Sequence, residues 1–328
     1  MQLALNEAWK YQFLTYPNPA VGALIIKNNQ ILSISAHKEA GEAHAEVNAI
    51  KEAYYKLTKD RAILSLDKSL DIHNYLYKNH NNLFTDCEIF VTLEPCHHYG
   101  KTPPCSLLIK NLKFKKLYIA IRDINPKATG SVEFLKANGI DVKVGILEDK
   151  AKELLYPFKK WSESRFVFFK YAQSLNGVIS GGYISSKESL KFVHQLRDKT
   201  DLLTIGGNTV RVDRPTLDTR AIENGKNPDI LIYSRENSNS FDRDIPLFNI
   251  KDREVFIENS LDKLDSYNFI MIEGGEAMLR ACQNYIDWYL VFIAPKYMNR
   301  DCIKPDLNLN IFHSGDSGVD LKIFANSI

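Results

Sequence analysis

The segment Thr92-Leu93-Glu94-Pro95-Cys96-His97-His98-Tyr99-Gly100-Lys101-Thr102-Pro103-Pro104-Cys105 carries two cysteines nine positions apart, each directly after a proline. Two thiolates at that spacing can hold one zinc ion if a third ligand reaches them from elsewhere in the chain. His44, at the head of His44-Ala45-Glu46, is a ligand of the right type. Any fold of this chain that uses the site must therefore bring residue 44 against residues 96 and 105. Three protein ligands leave the fourth position of a tetrahedral zinc to water, and a neighbouring carboxylate, Glu46, can shuttle that water's protons. The pattern points to hydrolysis rather than to a structural metal.

Local patterns place both halves of this site at helix starts. Met1 to Leu14 reads as a helix ended by Tyr16-Pro17-Asn18-Pro19, and Ala20–Ile26 and Ile31–Ala36 as a strand hairpin. Asn18 at the entrance to the hairpin reads as a turn asparagine. His44 to Leu57 has helical spacing, which sets His44 and Glu46 in a first turn, where the positive helix end favours an ionised carboxylate. Cys87–Leu93 is an apolar strand, and Pro103-Pro104 opens a helix through Leu112 with Cys105 in its first turn. Between them, about 55–86 is rich in Lys, Asp and Asn and reads as a surface insertion without chemistry, with His73 and His80 in solvent. Strand, helix and strand follow at Leu117–Ile121, Val132–Asn138 and Val142–Ile146, then a charged connecting helix from Leu147 to Lys160.

Length and composition bound the rest. A chain of 328 residues exceeds the usual single core, which predicts two domains. A net charge of +2 gives no basic field for nucleic acid or an acidic membrane, so neither is expected as a partner. Five cysteines without disulfide-scaffold density, no leader pattern and no long apolar run give the expectation of a soluble, cytoplasmic protein.

In the second half, Phe166–Tyr171, Leu202–Ile205, Ile230–Tyr233, Glu254–Ile257 and Phe269–Ile272 read as short strands, with a helix over Ser186–Arg197 and another from Glu276. Gly206-Gly207 and Gly274-Gly275 follow two of these strands. Glycines between a strand and a helix suit a nucleotide diphosphate, because they allow close backbone approach, and suit a plain turn equally well. Spacing alone leaves that choice open.

Pro17-Asn18-Pro19-Ala20-Val21-Gly22, Gly41 to Val47 and Thr92 to Cys105, together with Lys170 to Gly177, Tyr183-Ile184-Ser185-Ser186, Gly207 to Pro215 and Ile272 to Gly275, resemble the bifunctional riboflavin-biosynthesis deaminase/reductase family. The resemblance covers nearly the whole chain apart from the insertion. It implies an α/β protein with an N-terminal cytidine-deaminase-like three-layer αβα domain (1–147), a connecting helix (148–164) and a C-terminal dihydrofolate-reductase-like α/β domain (165–328). It implies zinc on His44, Cys96 and Cys105, with Glu46 as proton carrier, for hydrolysis of an amino group from a diaminopyrimidinone ribosylamine phosphate. Positions matching Asn18, His37, His98 and Lys101 would surround that substrate.

The second domain, by the same resemblance, uses NADPH to reduce the ribosyl group to ribityl. Ala172, Tyr183, Thr209, Asp213, Ser234 and Gly275 match cofactor contacts, and Arg197, Leu217, Arg220 and Glu273 match substrate contacts. Lys170 and Asp213 are the expected catalytic pair. Arg235 is a candidate for a 2′-phosphate. Oligomerisation is left open.

Three departures from the family pattern stand out. His97 replaces serine and reads as a surface substitution, the loop from Gly177 to Tyr183 is short, with Tyr183 standing where the family has tryptophan, and Asp213-Arg214-Pro215 replaces a more acidic or amide-bearing triplet. Two other readings are a zinc deaminase of another nucleobase with a non-catalytic second domain, and a zinc-stabilised binding protein. Glu46 argues against the latter, since a structural zinc has no need of it.

Overall fold

The expected hairpin forms from Gly22–Lys27 (β1) and Gln30–Ala36 (β2), antiparallel around Asn28 and Asn29. Both asparagines take left-handed backbone, which that side chain tolerates better than most. β1 also pairs antiparallel with Cys87–Leu93 (β3), and Lys116–Ile121 (β4) and Asp141–Val144 (β5) continue in parallel, in the order β2-β1-β3-β4-β5. The structure is a computed structural model and describes every residue except Lys101, Pro126, Lys127, Tyr183, 237–240, Asp301, Lys304 and Pro305. The expectations placed on Lys101 and Tyr183 therefore lie outside the described residues.

Side chains of a strand alternate between faces, and both faces of this sheet are covered. Ala23 and Ile25 join a core with Val47 and Ile50 of α2 (Ala45–Thr58) and Leu108 and Ile109 of α4 (Cys105–Asn111). Gly22 faces α1 (Gln2–Trp9) on the other side, so closely that a Cβ there would stand 2.0 Å from the Ala4 carbonyl oxygen. α6 (Glu148–Glu163) lies along the α1 segment, where the Gln12 side chain donates to the Leu154 carbonyl at 2.6 Å. The result is a three-layer αβα unit, Met1–Lys159.

The insertion differs from its sequence reading. It forms α3 (Ser69–Asn79), and Ile63, Ile72, Leu76 and Phe84 enter the core. His73 is 0% exposed rather than solvated, because it shares one helical face with Ser69, Ile72 and Leu76. His80 is half-buried, and its Nδ1 accepts from the Asn82 N–H at 3.2 Å. α1 is also shorter than expected, ending at Trp9 ahead of a run of turns.

The second unit, Lys160–Ile328, is built on an eight-stranded sheet. Six strands run parallel: Phe166–Ser174 (β6), Leu202–Gly206 (β7), Asp229–Tyr233 (β8), Val255–Glu258 (β9), Phe269–Glu273 (β10) and Trp288–Ala294 (β11). The antiparallel hairpin Leu309–Ser317 (β12) and Asp320–Ser327 (β13) completes the order β12-β13-β11-β6-β10-β7-β8-β9. Strands covered on both faces read as continuous apolar runs, and Phe166 to Phe169 is one. Val167 and Phe169 pack with Ile270 and Ile272, while Phe166 and Phe168 stack on Phe269, with Trp161 and Trp288 edge-on to Phe166. α7 (Lys187–Lys199) is capped by Ser186, whose hydroxyl accepts from the Ser189 N–H. α8 (Gly207–Asp213) and α9 (Glu276–Cys282) start just beyond the ends of β7 and β10. Strands β11 to β13 and helix α8 go beyond the elements read from sequence. No helix among the described residues is long and apolar enough to cross a membrane.

Candidate active sites

Three elements deliver the metal-ligand side chains. His44 is the N-cap of α2 in extended backbone, and its side chain makes no capping hydrogen bond. β3 runs out at Leu93 into Glu94-Pro95-Cys96, and Cys105 is the first residue of α4, behind Pro104 at the N-cap. His44 Nδ1 lies 3.6 Å from Cys96 Sγ and 3.4 Å from Cys105 Sγ, and the three donor atoms all fall within 4.8 Å of one another. Zn–S bonds near 2.3 Å and Zn–N bonds near 2.0 Å at a tetrahedral angle require about 3.5 Å between sulfur and nitrogen. The donor set therefore fits zinc in both chemistry and spacing.

Without metal, these groups share protons. The Cys96 thiol is pulled down, first by the hydrogen bond from Cys105 and further by His44, against burial. Cys105 is pushed up by the same hydrogen bond and by burial. Burial works against the His44 cation, yet the hydrogen bond and charge of Cys96 raise it to about 9. Glu46, 3% exposed in the first turn of α2, is raised to about 7, chiefly by burial. Such a set binds a dication by releasing protons.

A cavity of about 250 Å³ opens beside the donors, and His44, Glu46 and Cys96 line it with Asn18, His37, His98, Glu94, Asp123 and Asn125. A hollow of about 160 Å³ shares Asn18, His44, Cys96 and His98 and extends to Gly41 and Thr102. Asn18 is more than a turn residue, since its side-chain nitrogen lies 3.1 Å from His37 Nε2. His37 Nδ1 faces the Ala43 carbonyl at 3.2 Å, which fixes the tautomer with Nε2 as acceptor. Burial, then the charge of His44, lowers His37 to about 4 and keeps it neutral.

Glu94, Asp123 and Asn125 are cavity residues that the sequence reading missed. The Glu94 carboxylate is 2% exposed and accepts from the N–H groups of Gly130 and Val132 and from the Ser131 hydroxyl, holding the loop that carries Asn125 and Ala128. The signal for Asp123 and Asn125 was Asp123-Ile124-Asn125-Pro126, one residue beyond β4, a turn composition that also occurs where nothing binds. His97 is also not a surface substitution. It is half-buried, its Nδ1 lies 2.9 Å from Ser106 Oγ, and its ring packs 4.5 Å from that of Phe134.

In the second unit, charged residues gather toward the carboxyl ends of the parallel strands, where ligands of such sheets bind. Lys170 of β6 and Glu273 of β10 are cross-strand partners with Nζ and Oε1 3.7 Å apart. Arg197, in the last turn of α7, reaches Glu273 at 3.0 and 3.3 Å. Burial alone would raise Glu273, but Arg197 and Lys170 outweigh it and hold the carboxyl below its usual range. Burial lowers Lys170, with Glu273 opposing.

Thr209 lies in α8, Ser234 directly follows β8, and Gly275 caps α9. A Cβ on Gly207 would come within 2.8 Å of the Ser234 side chain, so the ends of β7 and β8 meet in close contact there. Ala172 lies on β6, facing Phe292 across the ladder. Leu217 is buried in left-handed backbone, and Arg253 holds its loop by donating to the carbonyls of Thr216, Leu217 and Leu247. Arg220 is exposed and paired with Asp218 at 2.7 Å. Asp213 is exposed at the end of α8, and the contacts of Lys170 join it to Glu273 and not to Asp213. Arg235 is exposed.

Residues 1–121 match the cytidine and deoxycytidylate deaminase zinc-binding region, and 165–298 match the RibD C-terminal domain. With the geometry above, these define the class: a zinc-dependent deaminase joined in one chain to an NADPH-dependent reductase of dihydrofolate-reductase-like fold. The riboflavin biosynthesis protein RibD of Aquifex aeolicus is 31% identical over 94% of this chain and 90% of its own length. RibD of Bacillus amyloliquefaciens is 34% identical over 70% of this chain and 56% of its own. A solved diaminohydroxyphosphoribosylaminopyrimidine deaminase/5-amino-6-(5-phosphoribosylamino)uracil reductase from Thermotoga maritima aligns with a TM-score of 0.66 at 25% identity, covering 100% of this chain and 97% of its own. The chain belongs to the RibD family of bifunctional riboflavin-biosynthesis enzymes.

Proposed function

We propose that the first domain (1–147) hydrolyses the amino group of 2,5-diamino-6-(5-phosphoribosylamino)pyrimidin-4-one. The second domain (165–328), reached through the helix at 148–164, then reduces the product to 5-amino-6-(5-phosphoribitylamino)uracil. The observation that carries this reading is that His44, Cys96 and Cys105 lie within reach of one ion while the buried Glu46 lines the same cavity. A zinc ion held there makes water acidic enough to lose a proton near neutral pH. Glu46 would carry that proton to the ring nitrogen as hydroxide adds to the carbon, and would then carry the proton of the added hydroxyl to the amino group, which leaves as ammonia. Asn18, His37, His98 and Lys101 bind the substrate, and the neutral His37, whose Nε2 accepts from the Asn18 amide, orients Asn18 at the cavity.

In the second domain, bound NADPH supplies hydride. Ala172, Tyr183, Thr209, Asp213, Ser234 and Gly275 hold the cofactor, and Arg197, Leu217, Arg220 and Glu273 hold the substrate. Arg197 suits a sugar phosphate by its planar fork. Lys170, kept in place by Glu273, orients the imine and donates a proton, and Asp213 is the second residue of that relay. A cytoplasmic location accords with five unpaired cysteines. No nucleic acid or membrane partner is proposed, and a homo-oligomer remains compatible with the family.

Purified protein given the diaminopyrimidine ribosylamine phosphate and NADPH should release ammonia and then lose reduced-nicotinamide absorbance. No ammonia from zinc-loaded protein would overturn the first assignment, and ammonia without NADPH oxidation the second.

A further inference from the structure

His97 stands beside one sulfur ligand and Ser106 beside the other, and the two side chains meet at 2.9 Å. Ser106 is fully buried in the first turn of α4, and its hydroxyl needs a partner there. Two backbone N–H groups also join these segments, Ser106 donating to the Cys96 carbonyl at 3.2 Å and Cys105 to Cys96 Sγ at 3.3 Å. Between the ligands, Tyr99 is 75% exposed and adds no packing that would fix the spacing of the sulfurs.

The His97 ring also packs on Phe134 of α5 (Ser131–Ala137), and the His97 backbone N–H donates to the Ala128 carbonyl at 3.3 Å. Ala128 lines the cavity. The imidazole thus joins the start of α4 to α5, while the backbone of the same residue is tied to the cavity wall at Ala128. A group that locks ligand-bearing segments from outside the coordination sphere tunes metal retention without binding the metal.

We propose that His97 is a positioning residue of the metal centre, clamping the Cys96 and Cys105 segments at ligand spacing through its hydrogen bond to Ser106. The proposal rests on the reading of His44, Cys96 and Cys105 as zinc ligands. Full-length zinc-loaded protein is challenged with excess chromogenic chelator, and zinc release is timed for His97→Asn, His97→Phe, Ser106→Ala and the His97→Phe/Ser106→Ala pair. Unfolding of each zinc-free protein is measured alongside. Asparagine can place an amide nitrogen near the position of Nδ1, whereas phenylalanine keeps the ring packing and loses the hydrogen bond.

His97→Phe and Ser106→Ala should release zinc about tenfold faster, His97→Asn within about twofold of the parent, and the double variant no faster than either single one. Zinc-free unfolding should not follow that order. Release by His97→Phe at the parent rate, or acceleration in His97→Asn equal to that in His97→Phe, overturns the proposal. Parent protein that carries no zinc, or that keeps it in Cys96→Ala, refutes the ligand assignment instead.

Discussion

Glu46→Gln tests the proton relay most directly. The substitution keeps side-chain size and removes the ability to carry a proton, so the 3% exposed site repacks without a void. General acid–base catalysis by a positioned group is worth roughly 10²–10⁴ in rate, or about 3–5 kcal/mol of barrier. The structure places this case at the upper end, because the other carboxylates lining the cavity are already engaged. Glu94 accepts from three donors of the 130–132 segment, and Asp123 Oδ1 accepts from the Asn125 N–H. The variant should therefore retain zinc, measured by metal analysis, while single-turnover ammonia release falls about 10⁴-fold. A rate above about a tenth of the parent's with zinc intact would show that another group carries the proton. Loss of zinc would show that Glu46 holds the site together structurally.

Two other outcomes follow from packing. Burial lowers His73 to about 4 from a model-peptide value of 6.5, so the unfolded chain binds a proton that the folded one refuses. Stability is complete above 6.5 and falls as pH drops toward 4; from pH 7 to 5 the parent should lose about 2 kcal/mol that His73→Met does not, read as unfolding midpoints at both pH values. Identical pH dependence in parent and variant would exclude this role. Arg253→Ala removes the donors to the Thr216, Leu217 and Leu247 carbonyls. It should raise the reductase KM for its sugar-phosphate substrate about tenfold while leaving ammonia release unchanged, and an unaltered KM would show that the loop holds itself.

The metal-ligand set was legible from the chain because its information is local. A histidine and a glutamate two residues apart enter one helix turn, and each cysteine follows a proline. The two sheets were legible in outline for the same reason, as apolar runs such as Phe166 to Phe169 bounded by turn residues. His73 escaped because the polar residues around it suggest a solvated loop, and its burial depends on α3 packing into a core made by other segments. His97 escaped because its partners Ser106 and Phe134 adjoin it only after α4 and α5 have packed. The same holds for Lys170, Arg197 and Glu273, which one strand, one helix and a second strand bring together. Residue type and short spacing determined which chemistry this chain carries. Strand pairing and helix packing, which join residues far apart in sequence, alone decided which charges are neutralised, which imidazoles are buried and what surrounds the ligands.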